Sequence, residues 1–159
     1  MKTLNRLMFA GVIVMAATCT LLTAEQAAVQ KTSGGWDAAS RYQKLVRSGT
    51  SARLKGNVLS TEDLRPYEDM EPGVQLKVDV GGGKEVSVHL GPRWFVLERD
   101  IAFTRGEPIE IVGVKIQIGD KPAVIASEVV RPESKQRIVF RESSGTPRWF
   151  DRSPAGPRE

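Results

Sequence analysis

Between Leu54 and Phe140 the chain alternates apolar and polar residues in short runs, and the stretch Trp94-Phe95-Val96-Leu97-Glu98-Arg99-Asp100 after Gly91-Pro92 interrupts them. Period-2 runs on both sides of one helix-like insert predict a mainly β domain, a small closed barrel of five strands. The first strand is expected over Ala52 to Ser60, with Leu54 and Val58 on one face and Arg53, Lys55 and Asn57 on the other. An acidic loop from Thr61 to Gly73 follows. Val74 to Val80 and Glu85 to Leu90 then alternate strictly around Gly81-Gly82-Gly83, a hairpin signal. Beyond the insert, Glu107 to Gly119 carries Ile109 and Ile111 in one phase and Val114, Ile116 and Ile118 in the other. A glycine at the slip, Gly113, is what a bulge or sharp corner needs. Gly119 to Pro122 supplies a turn, Ala123 to Val130 the fifth strand, and Arg137 to Phe140 a final edge strand.

Upstream, Ala38, Tyr42 and Leu45 fall at helical spacing, so a short amphipathic helix is expected over Trp36 to Arg47 with Ser33 as its cap. The resulting division is 1–24 signal or anchor helix, 25–50 linker and short helix, 51–142 barrel, and 143–159 flexible tail pinned at most by Trp149-Phe150.

Lys2 and Arg6 precede an uncharged apolar stretch from Leu7 to Leu22, and the first acidic residue is Glu25. That order reads as a secretory signal ending near Ala24, or as an anchor through residues 7–24, and places the rest outside the cytoplasm, periplasmic or membrane-tethered. The single cysteine, Cys19, lies in this stretch, so the exported part has no thiol for a disulfide or a metal. Of 23 basic residues, two belong to the signal; the remaining 21 face 19 acidic ones, so the net charge of +4 overstates any pull on polyanions.

Five strands with a helical turn between the third and fourth is the order of the oligonucleotide/oligosaccharide-binding (OB) fold. Val88 to Phe95, Gly106 to Gly113 and Lys121 to Val129 together resemble small exported bacterial OB-like proteins and are similar to the OB-like domains of magnetosome proteins of the S and X type. The resemblance implies an accessory protein at a membrane. X-type proteins also carry Cys-x-x-Cys-His haem motifs, which this chain lacks, so electron transfer does not carry over.

Fold alone does not give function. A nucleic-acid reader needs stacking aromatics and a basic groove on the second and third strands. The outward set expected there, Gln75, Lys77, Asp79, Glu85, Ser87 and His89, has no aromatic and mixed charge, so nucleic acid is not the expected partner. His89 is the only histidine, expected on the surface and paired with Asp79 or Glu85. Ser87 and His89 point parallel from one strand and do not assemble an activated nucleophile, so no enzyme and no cofactor are expected. Glu68, Asp69 and Glu71 match no dedicated cation loop. Arg93 and Trp94 follow a Gly-Pro turn; Trp94-Phe95 is expected to plug the barrel end with Arg93 exposed. The candidate binding surface is therefore the rim bearing His89, Arg93, Trp94, Glu68, Asp69 and Glu71. It belongs to a non-enzymatic exported module that binds an envelope protein or small ligand. The alternative is a magnetosome accessory protein supporting iron-mineral formation, and the third is a nucleic-acid-binding OB protein.

Overall fold

The alternation becomes six strands and two helices in the computed structural model, which describes residues 34–150. In chain order they are α1 (Arg41–Ser48), β1 (Thr50–Leu64), β2 (Gly73–Asp79), β3 (Glu85–Pro92), α2 (Arg93–Glu98), β4 (Pro108–Ile118), β5 (Lys121–Arg131) and β6 (Gln136–Val139). All strands join one sheet in the order β3-β2-β1-β4-β5-β6, antiparallel between neighbours. Val88 and His89 of β3 also pair, in parallel, with Val124 and Ile125 of β5. That pairing closes a hydrogen-bonded circuit of five strands. The sixth, β6, lies outside it against Glu128 to Arg131, one residue ahead of the final edge strand expected over Arg137 to Phe140.

β1 serves two neighbours. Residues 50–57 pair with β4 and residues 57–64 with β2. The strand runs past its expected end at Ser60 because Glu62 and Asp63 face solvent, where Glu62 accepts a hydrogen bond from Gln75 on β2 at 3.3 Å. Carboxylates on an exposed face do not stop a strand that has a cross-strand partner.

The inward residues follow the predicted parity in the hairpin. Leu76, Val78, Val88 and Leu90 are fully buried beside Val58, Ile109, Ile111, Ile125 and Val129. α2 covers one end with Phe95 and Val96, while Leu97 is 65% exposed. On β4 the buried set changes phase after Gly113, from Ile109 and Ile111 to Ile116. The register break near Gly113 leaves the extra residue on the opposite strand: Val112 pairs with Glu128 and Gly113 with Ala126, so Ser127 of β5 is bulged. Gly113 serves close approach instead, since a Cβ there would overlap the carbonyl oxygen of Ile125.

α1 begins five residues later than expected. Asp37 forms a local turn, accepting from Ala39 N at 3.0 Å, and Ser40 becomes the N-cap, accepting from Gln43 N at 3.1 Å. An Asx turn of this kind competes with helical hydrogen bonding. Ser33 and the signal or anchor segment lie outside the described residues.

The two ends of the described chain are clasped together. Trp149 Nε1 donates to the Trp36 carbonyl at 2.9 Å, and Trp36 Nε1 donates to the Glu71 carbonyl at the same distance. Residues 143–150, read as the start of a tail, are thus fastened to the domain.

Gly113→Ala is expected to destabilise the domain by about 2 kcal/mol, because the added methyl must push two paired backbones apart. Lys115→Ala, exposed two residues away, is expected to stay within about 0.5 kcal/mol of wild type. Denaturant midpoints check the pair. Equal midpoints contradict the close approach.

Candidate functional site

Three elements meet over the outward face of β2 and β3. The loop after β1 brings Leu64 to Tyr67, the hairpin brings Gln75, Lys77, Ser87 and His89, and the β4–β5 turn brings Gly119, Asp120 and Lys121. Together they line a groove of about 640 Å³. Its charged groups are Arg65, Lys77 and Lys121 against Asp120, a cationic excess absent from the flat hairpin face. Lys77 pairs with Glu85 at 3.1 Å, and Ser87 donates to Gln75 at 3.1 Å, which leaves the groove walls internally braced. Tyr67 is the aromatic that the strand pattern does not reveal. Its ring is already covered by Arg41, whose Cζ lies 3.8 Å from the centroid.

His89 sits in the groove floor, and its placement differs from the expected surface position. Only 4% of the residue is exposed. Tyr42 of α1 packs over it with the rings nearly parallel, and the Tyr42 hydroxyl is 3.1 Å from Nδ1. The residue opposite on β2 is Gln75, so neither Asp79 nor Glu85 is its partner. Burial, then the Arg141 and Lys77 charges, push its pKa down to about 4, so the imidazole is neutral at pH 7. Burial also holds the Tyr42 hydroxyl protonated far above its ordinary range. A protonated hydroxyl that donates to Nδ1 leaves the ring proton on Nε2. The arrangement suits a neutral positioning group.

The other expected site residues lie elsewhere. Arg93 pairs with Asp63 at 2.9 Å, and neither residue lines the groove. Trp94 meets Phe95 edge-on at 6.1 Å and is half-buried, while Phe95 rather than Trp94 fills the end of the core. Asp69 is paired with Arg41, Glu68 is exposed, and Glu71 contributes its backbone to Gly34 and Trp36. Of the six, His89 alone lines the groove. The groove cations Arg65 and Lys121 were missed because their loops come together only in three dimensions. Among the described residues no three His, Cys, Asp or Glu side chains gather as a metal-holding group.

The model of the MamS/MamX magnetosome protein family matches residues 50–135. The chain belongs to this family. The match runs from the start of β1 to the turn before β6 and takes in every wall of the groove. Tyr42, which contacts His89, and Arg141, one of the two charges that lower its pKa, both come from outside the matched segment. A search of curated proteins finds no match for the chain.

The depressed pKa of His89 has a definite sign. Between pH 6.5 and about 4 the unfolded chain binds a proton that the folded chain refuses. This contribution is therefore complete above pH 6.5 and is lost as the pH falls toward 4, on the order of 3 kcal/mol in all. His89→Gln, which cannot charge, is expected to flatten that part of the profile. Unfolding free energies of both proteins at pH 4.5, 5.5 and 7.5 test this. Parallel profiles would mean that His89 is charged or exposed in the fold.

Proposed function

We propose that the chain is a non-enzymatic binding module of the OB type, a closed five-stranded barrel with β6 appended, working at the magnetosome membrane in support of iron-mineral formation. The observation that carries this reading is the coincidence of the family match with the groove. The segment matched by a magnetosome family contains the β2–β3 face and the two loops that flank it. In OB folds that face, with the loops between strands 1 and 2 and between strands 4 and 5, is where extended ligands lie.

The groove favours an anionic partner surface or small anionic ligand, because Arg65 and Lys121 outnumber Asp120 along it even with Lys77 answered by Glu85. Residues 7–24 serve as the export signal or tether, since they are apolar and follow Lys2 and Arg6. Among the described residues no helix is long and apolar enough to cross a membrane, so on this reading any anchoring falls to that segment. Catalysis has no support from the groove, whose only histidine is buried, neutral and held by Tyr42.

Single-stranded nucleic acid is a poor fit despite the basic lining. Tyr67, the aromatic at the groove, already has one ring face taken by Arg41 and is the single aromatic of the lining, short of the run of stacking platforms a strand needs. Binding to single-stranded DNA at physiological salt is expected to be no tighter than about 10⁻⁴ M. A micromolar titration curve at that salt would replace the present reading with the nucleic-acid one.

The role itself is tested in a magnetosome-forming host whose own copy of this chain has been deleted. The complementing wild-type chain is expected to fractionate with magnetosome membranes and to restore mineral crystal size. Arg65→Glu with Lys121→Glu, both exposed, is expected to fold and fractionate normally but to restore crystal size incompletely. Full restoration by that variant excludes the groove as the working surface. Absence of the wild-type chain from those membranes excludes the magnetosome role.

A further inference from the structure

Arg141 is the most anomalous residue in the fold. It is 2% exposed, yet among the described residues it has no carboxylate partner. Nη1 donates to the Ala126 carbonyl at 2.9 Å, and the guanidinium lies 4.7 Å from the centroid of the Trp149 ring. Its Nε and Nη2 atoms are buried without any hydrogen-bond partner. A buried cation with two idle donors is costly, and such a group calls for an explanation in a missing ion or water.

Which two donors are idle is informative. Nε and Nη2 project from the same edge of the guanidinium, the side-on fork that accepts two oxygens of one carboxylate or phosphate group in parallel. The third group is committed to the backbone, and one face is committed to Trp149, so the planar fork is locked in orientation. Arg141 also lines a cavity of about 790 Å³ between α1, the bulged stretch of β5 and the turn after β6. Arg47, Ser127, Ser143 and Ser144 line it as well. Its two carboxylates are already engaged, Glu128 by Arg137 at 3.1 Å and Glu142 by Arg148 at 2.7 Å. The cavity thus offers cations and hydroxyls to a guest, and its own anions answer other arginines.

We propose that the Arg141 cavity is a binding site for a small oxyanion, a carboxylate or phosphate group held bidentately by Nε and Nη2 with Ser127 and Ser143 close by. This site is separate from the β2–β3 groove: the two share no lining residue. The guest supplies the countercharge that the fold withholds from Arg141. The site lies beside the turn from Glu142 to Pro147, which is closed by Glu142 N to Thr146 O at 2.9 Å.

The test uses the full-length chain and two probes, inorganic phosphate and acetate, each compared with chloride at matched ionic strength. At least one probe is expected to raise the unfolding midpoint of wild type by a few degrees in a saturable way, as mass action requires of a ligand that binds only the folded state. Arg141→Lys keeps the charge but has no fork and is expected to lose that response; Arg65→Glu, in the other groove, is expected to keep it. Which probe acts tells phosphate from carboxylate. A second measurement stands apart from the variants: where phosphate is the probe that acts, its ³¹P line should broaden with wild type, and where acetate acts as well, excess acetate should sharpen it again. Midpoints and linewidths that respond no more to either probe than to chloride overturn the proposal and leave a trapped water as the occupant. An equal response in Arg141→Lys also overturns it.

Discussion

The parallel pairing of Val88 and His89 with Val124 and Ile125 is the constraint on which the rest depends. Without it the sheet would be an open ribbon with one apolar face to cover. With it, five strands enclose Leu76, Val78, Val88, Leu90, Ile109, Ile111, Ile125 and Val129 among themselves, and α2 has only one open end to close. The closure is made possible by backbone approach at Gly113, where Ile125 comes too near for any side chain. The bulge at Ser127 follows from the same neighbourhood. Its carbonyl then accepts from both Phe140 N and Arg141 N, which steers the chain out of β6 and places Arg141 under the aromatic clasp.

That clasp links structure to electrostatics. Trp36, Tyr42 and Trp149 come from segments more than a hundred residues apart and meet edge-on, with centroids 4.9 and 6.2 Å apart. Edge-to-face packing of this kind adds to the burial itself. It also removes water from around His89 and Arg141. A histidine and an arginine near each other in a dry core favour the neutral imidazole, which is the direction found. The groove floor is consequently uncharged while its rim is cationic.

The acidic loop shows how charge pattern misleads without partners. Read along the chain, Asp63, Glu68, Asp69 and Glu71 form an anionic surface. In the fold Asp63 meets Arg93, Asp69 meets Arg41, and Glu71 holds Trp36 through its backbone. Exposed pairs like these add little stability, yet they cancel the local field beside a basic groove. Trp94 and Phe95 make a related point. Adjacent residues on one short helix point in different directions, so only Phe95 enters the core and Trp94 stays half-exposed.

The sequence by itself determined the strand parity of the hairpin, the position of the helical insert and the family, because these rest on local periodicity and contiguous segments. Val74 to Leu90 alternates so regularly that one face had to be core, and the glycines at 81–83 left no other place for the turn. Tertiary structure alone decided the groove and the two buried polar residues. Arg65 and Lys121 are 56 positions apart and meet on one face only because β1, β2 and β3 curl back to β5. His89 has the outward parity of a surface residue, and nothing near it in the chain signals burial. Tyr42, 47 residues earlier, covers it. Parity tells which way a side chain points from its own sheet; it says nothing of what another element lays on top.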